Sequence, residues 1–109
     1  MKDISKKDWK LFQAKVPEWQ ERYMEQLIKS YIILLNSPGY ASEHFWELEK
    51  RVREDRKHPG VKMQINKSEM AWDCVSLLQL GVITMDDLNG FSEDFVDTVK
   101  LILEKRSDW

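Results

Sequence analysis

All four glycines and all three prolines of this 109-residue chain fall at five points: Pro17, Pro38-Gly39, Pro59-Gly60, Gly81 and Gly90. Proline removes a helix donor and glycine raises the entropic cost of ordering, so the breaker-free segments between them are the ones able to run as helices. Apolar residues recur within those segments at three- and four-residue spacing. The pattern predicts helices at about 5–15, 17–36, 42–57, 66–80 and 93–106, with a single helical turn at 85–89. Each Pro-Gly step suits a type II turn in which Gly39 or Gly60 takes the positive φ. Gly81 suits the left-handed residue that ends the helix before it.

The helix starts carry their own signature. Ile4-Ser5 precedes Asp8-Trp9, Ile65-Asn66 precedes Glu69-Met70, Ile83-Thr84 precedes Asp87-Leu88, and Phe91-Ser92 precedes Phe95-Val96. In each, a short polar side chain is placed to accept the free N–H groups of a first turn, and apolar residues on either side are placed to staple the entry. Asp8, Glu69 and Asp87 read as first-turn partners of these caps rather than as chemically active carboxylates. At Ser92 the acid is missing, because Phe95 stands in its place.

The apolar stripes define the fold class. Trp9, Phe12 and Val16 lie on one stripe, Trp19, Tyr23, Leu27, Tyr31 and Leu34 on the next, and Phe45, Leu48 and Val52 on the third. Met70, Cys74, Leu77 and Leu78 form the fourth, and Phe95, Val99, Ile102 and Leu103 the fifth. The second helix becomes apolar nearly all round toward Leu35, which predicts a central position. The expected architecture is all-α: one domain over 1–109, a compact bundle of five helices plus the short turn. One stretch departs from helical spacing, since Val61, Met63 and Ile65 alternate with Lys62 and Gln64. It predicts an extended connector at about 61–65 that either lays three side chains on the bundle or pairs as a strand with a second copy.

Composition narrows the function classes. With 42% hydrophobic and 33% charged residues the chain is in the globular range. Its longest apolar run, Tyr31 to Leu35, is far short of the roughly 20 residues that span a bilayer. The charged N-terminus leads into no apolar segment of the secretory kind, so a cytoplasmic location is expected. Cys74 is the only cysteine, which leaves no internal disulfide, and its apolar neighbours predict a buried, inert thiol.

No catalytic, cofactor or metal constellation emerges. His44 and His58 lack zinc-ligand spacing, and an EF-hand aligned on Gly90 would put Met85 and Val96 where carboxylates are needed. A helix-turn-helix over 66–89 would bring Asp86 and Asp87 against phosphate. The chain is therefore read as a non-enzyme without cofactor or metal. Charge is uneven: Lys50, Arg51, Arg53, Arg56, Lys57 and Lys62 face only Glu54 and Asp55, whereas 66–99 is strongly acidic. A basic stripe of this kind permits a nucleic-acid regulator using 50–62. Glu47 with Arg51, Glu49 with Arg53 and Arg51 with Asp55 are spaced to pair with one another, which favours a solvated face.

Trp109 ends the chain after a polar run and is expected to dock on its own bundle or on a partner. Residues 77–88, Leu-Leu-Gln-Leu-Gly-Val-Ile-Thr-Met-Asp-Asp-Leu, resemble the helical hairpin of the bacterial short C-terminal domain family. Asp8-Trp9, Pro17-Glu18-Trp19-Gln20, Phe45-Trp46-Glu47-Leu48-Glu49, His58-Pro59-Gly60-Val61 and Gly81-Val82-Ile83-Thr84 together are similar to a family of small helical proteins from Gram-positive bacteria. Neither resemblance implies an activity or site residues. The expected role is protein–protein interaction, as an accessory or regulatory factor or as a homodimer. Arg53, Arg56, Lys57, Val61, Met63, Ile65 and Trp109 form the candidate surface. No membrane partner is expected, and nucleic acid is the alternative.

Overall fold

The computed structural model describes residues 4–107, and the expectation for Trp109 lies outside them. The described residues are all-α, with no strand among them. In order they form α1 (Lys6–Asn36), α2 (Ala41–Asp55), a 3-10 turn at Lys67–Glu69, α3 (Met70–Gln79), a second 3-10 turn at Met85–Leu88, and α4 (Glu93–Ser107).

Among the described residues there are four α-helices rather than the five expected from the breakers, because Pro17 does not end a helix. It lies inside the 31-residue α1. A mid-helix proline costs one backbone hydrogen bond and crowds the preceding turn, at about 3 kcal/mol. Here the proline itself is exposed while its neighbours Val16 and Trp19 are buried. Burying two large apolar side chains across the break stabilises by a comparable amount, so the helix continues.

The chain forms two compact units, with α1 contributing to both. The first comprises the described residues through Trp19 together with those from Gln64 onward. Phe12, Met70, Cys74, Val75, Leu77, Leu88 and Val99 are its fully buried side chains. Phe12 lies near-parallel to Trp9 at 6.2 Å and meets Trp19 edge-on at 6.1 Å, while Phe91 bridges Trp19 and Phe95. The helix α3 packs against α4. Arg106 ties their outer ends, its guanidinium 5.2 Å over the Trp72 ring and donating to Gln79 Oε1 at 3.0 Å.

Local punctuation follows the sequence at several joints. Ser5 Oγ accepts the Asp8 N–H at 3.1 Å, and the Thr84 N–H donates to the Asp87 carboxylate at 2.8 Å. After α3, Gly81 has φ +75°. The Gly81 N–H bonds the Leu78 carbonyl and the Val82 N–H bonds the Leu77 carbonyl, which is the Schellman arrangement. Asn66 opens a 3-10 turn before α3 and makes no side-chain cap bond, so the fourth expected helix starts later than its pattern indicated.

Asp8 does more than its own first turn required. It is only 2% exposed, and its carboxylate accepts the Ser92 N–H at 2.9 Å and the Ser92 hydroxyl at 2.5 Å. Ser92 Oγ in turn accepts the Phe95 N–H at 3.2 Å, capping α4. The acid missing from the Ser92 signature is thus supplied by α1, 84 residues away in sequence. The cap of one helix is completed by the first turn of another.

The second unit, Gln20–Met63, pairs the C-terminal half of α1 with α2 as a helical hairpin. Residues 61–65 form an irregular connector in which Val61, Met63 and Ile65 are half-buried and Lys62 and Gln64 exposed, as the period of two predicts.

Candidate protein-interaction surface

The hairpin is fastened by polar and aromatic contacts along one end. Tyr31 donates its hydroxyl to the Asp55 carboxylate at 2.5 Å, and Gln20 Nε2 donates to the Pro59 carbonyl at 3.0 Å. Between these, the Tyr23 and His58 rings stack at 4.7 Å with 12° between their planes. Gly60 is buried against the Tyr23 ring: a Cβ there would lie 2.3 Å from Cδ1 and 2.7 Å from Cγ and Cε1. The Val61 N–H closes the turn onto the His58 carbonyl at 2.9 Å. Gly60 does not take the positive φ expected of a type II turn, unlike Gly39, whose φ is +141°. Its requirement is close approach rather than backbone freedom.

Between the two helices lies an open apolar groove of about 370 Å³. Met24, Leu27, Ile28 and Tyr31 line it from α1, and Leu48, Val52 and Asp55 from α2, with Arg56 and Val61 at the end. Burial, then the hydrogen bond to Asp55, pushes the Tyr31 hydroxyl up to about 12, and burial followed by the Asp55 charge raises Tyr23. Both phenols therefore stay neutral at physiological pH. The groove's charged lining groups are Asp55 and Arg56, set at one end.

Apolar exposure continues beyond the groove. Ile28 is 54% exposed, Ile32 52%, Phe45 62% and Trp46 64%, with Ile33 and Leu35 also open. Phe45 and Trp46 meet edge to face at 5.0 Å, so two large rings present a fixed shape to solvent. The expectation that the second helical stripe is central is thus met only as far as Trp19. From Ile28 onward α1 pairs with α2 within the hairpin and leaves Ile28, Ile32, Ile33 and Leu35 open to solvent.

The candidate residues separate. Arg56 and Val61 line the groove, Lys57 is exposed beside it, and Met63 is half-buried in the same unit. Ile65 belongs to the other unit. Arg53 is held by Glu49 and Arg51 by Glu47, the i,i+4 pairs their spacing indicated. Asp55, expected to pair with Arg51, takes the Tyr31 hydroxyl. Phe45, which its spacing places on a core stripe, is exposed, as are Ile28, Ile32 and Trp46. The available signal was the all-round apolar character of 31–35, which needs more partners than a highly charged α2 provides.

Among the described residues, no group of three or more His, Cys, Asp or Glu is placed to hold a metal, and no helix is long and apolar enough to cross a membrane. Cys74 is buried, and burial followed by the Asp73 charge pushes its thiol up to about 12, so thiol reagents should not reach it in the folded chain. Asp73 has a carboxylate oxygen shut off from solvent and without a hydrogen-bond partner. Burial and then the Glu69 charge raise it to about 6. A carboxyl raised above its unfolded value binds its proton more tightly in the native state. Its contribution should therefore grow as pH falls from about 6 toward 4 and be lost as pH rises through about 6. Asp73→Asn is expected to stabilise the protein at neutral pH by about 1 kcal/mol, after allowance for solvent screening, and to flatten that slope. Urea unfolding at several pH values checks both effects.

Neither family models, curated proteins nor solved structures gave a match to this chain, so function is read from the geometry of the surface.

Proposed function

We propose that the chain is a protein–protein interaction domain, acting as an accessory or regulatory factor, in which one unit supplies stability and the Gln20–Met63 hairpin supplies the binding face. The observation that carries this reading is the division of apolar side chains. Every buried core side chain among the described residues belongs to the first unit, while in the hairpin only Gly60 is buried. The hairpin instead presents Ile28, Ile32, Ile33, Leu35, Tyr40, Phe45, Trp46 and Val52 to solvent. Exposed apolar side chains around a groove, with a fixed aromatic pair and charge at the border, have the composition of an interface centre and rim. A nucleic-acid role for 50–62 is the weaker reading, because Arg51 and Arg53 are already engaged by glutamates on their own helix.

Affinity capture tests the proposal. Ile28→Glu with Val52→Glu places charge in the groove and should abolish recovery of any partner, another copy of the chain included. Leu80→Glu with Leu101→Glu, on exposed positions of the first unit, should leave recovery intact. Partners retained by the first variant and lost by the second would place the binding surface elsewhere.

A further inference from the structure

Resting on that reading, we infer that the occupant of the hairpin groove is an amphipathic helix of another protein, with an acidic side chain at the end that meets Arg56. The backbone of the lining decides the class. From Met24 to Asp55 the groove-lining residues all lie in α1 or α2, whose N–H and C=O groups are bonded within those helices or their end turn, and no strand edge exists among the described residues. The one lining hydroxyl, that of Tyr31, is already donated to Asp55. An extended segment laid in such a groove would desolvate its backbone with nothing to pair it. A helix brings its own hydrogen bonds and needs only apolar contact.

The lining has the matching form. Met24, Leu27, Ile28 and Tyr31 recur at three- and four-residue spacing along α1, and Leu48 and Val52 do so along α2, giving two ridges with a trough for the apolar ridge of a third helix. Ile32 and Leu35, four and seven positions beyond Ile28, continue the α1 spacing and are open to solvent. From Met24 to Leu35 the row runs about 17 Å, the length of three turns of a partner helix. A small ligand such as a fatty acid is seated where most of its surface is enclosed, whereas this groove is open along its length. Charge then selects among helices. Arg56 lines the groove end, is exposed, and makes no hydrogen bond or ion pair among the described residues, while Arg51 and Arg53 are held by Glu47 and Glu49. Covering the groove strips water from the Arg56 guanidinium, and a carboxylate on the occupant is the acceptor that best replaces it.

Selection against the full chain from a displayed library of peptides of about 15 residues, randomised at every position, tests this. The selected peptides should carry apolar residues at three- and four-residue spacing with an Asp or Glu at one end, and should gain helical circular dichroism on binding. Ile28→Glu with Val52→Glu should abolish their binding. Arg56→Glu should weaken it at least about tenfold, and replacing the peptide's acidic residue by Lys should restore it to that variant. Far-UV circular dichroism confirms that both variants remain helical. Groove-dependent peptides that bind in extended form, or that are indifferent to Arg56→Glu, would overturn the acidic helix as occupant and leave the interaction role standing. So would a wild type of two-protomer mass in sedimentation equilibrium that Ile28→Glu with Val52→Glu dissociates, since the occupant would then be a second copy. Displacement of the peptides by a long-chain fatty acid would assign the groove to a lipid instead. Absence of any peptide whose binding depends on Ile28 and Val52 would remove both the occupant and the interaction role.

Discussion

Replacing Asp8 by alanine is expected to lower the free energy of unfolding by about 3 kcal/mol, more than any surface substitution of similar size. The carboxylate is buried and accepts two hydrogen bonds from Ser92, whose hydroxyl also caps α4 through the Phe95 N–H. Hydrogen bonds to a charged acceptor contribute about 1.5–3 kcal/mol each, and truncation leaves the Ser92 N–H and O–H without that acceptor. Asp8→Asn should cost less, because one oxygen remains to accept while the new NH₂ faces the Ser92 donors. Ser92→Ala alone should cost about 1–2 kcal/mol through loss of the cap and of one bond. The double variant Asp8→Ala with Ser92→Ala should fall short of the sum by about 1–2 kcal/mol, since both changes remove the same contact. Equilibrium urea unfolding of the four proteins measures the coupling, and strict additivity would show that the two residues act separately.

The second large effect is expected at Gly60. Alanine there puts a methyl carbon 2.3 Å from a Tyr23 ring atom, inside any permitted contact. The overlapping atoms belong to the ring itself rather than to the end of a flexible side chain. Relief requires the ring to leave its stack on His58 or the His58–Val61 turn to open. Overpacking of this kind costs about 1–3 kcal/mol, and loss of the stack places Gly60→Ala near the upper end. The damage should stay within the hairpin. Amide hydrogen exchange should accelerate by roughly 100-fold along α2, with the α3 and α4 amides changed little. Equal acceleration in both sets would mean that the two units unfold as one.

These two residues also mark how far sequence reasoning reaches. Gly81 was legible because a Schellman stop depends only on neighbours within one turn, and its two bonds are present as expected. Gly60 was legible as a turn but not in its cause, because the Tyr23 ring it touches lies 37 positions earlier in the chain. Asp8 fitted its local cap signature, yet its carboxylate answers a need at Ser92 that only the tertiary fold creates. Pro17 shows the converse: a strong local signal was overridden because Val16 and Trp19 on either side are buried.

The interaction face was legible only in part. Arg56 and Val61 stood out through charge and alternation, and both line the groove. Ile28, Phe45 and Trp46 did not, since periodicity identifies the apolar side of a helix without saying whether another element covers it. Their role depends on what α2 fails to bury. The first part of α1 shares the buried core with α3 and α4, whereas the rest of α1 and α2 keep large apolar side chains in solvent.

The central claim, that the hairpin's apolar face is free in the folded chain and reserved for a partner, is tested most directly by urea unfolding of Ile28→Glu with Val52→Glu at low protein concentration. Exposed positions tolerate such changes, so the expected free energy of unfolding lies within about 0.5 kcal/mol of the wild type. A loss of more than about 2 kcal/mol would contradict it, by showing that Ile28 and Val52 are buried against their own chain.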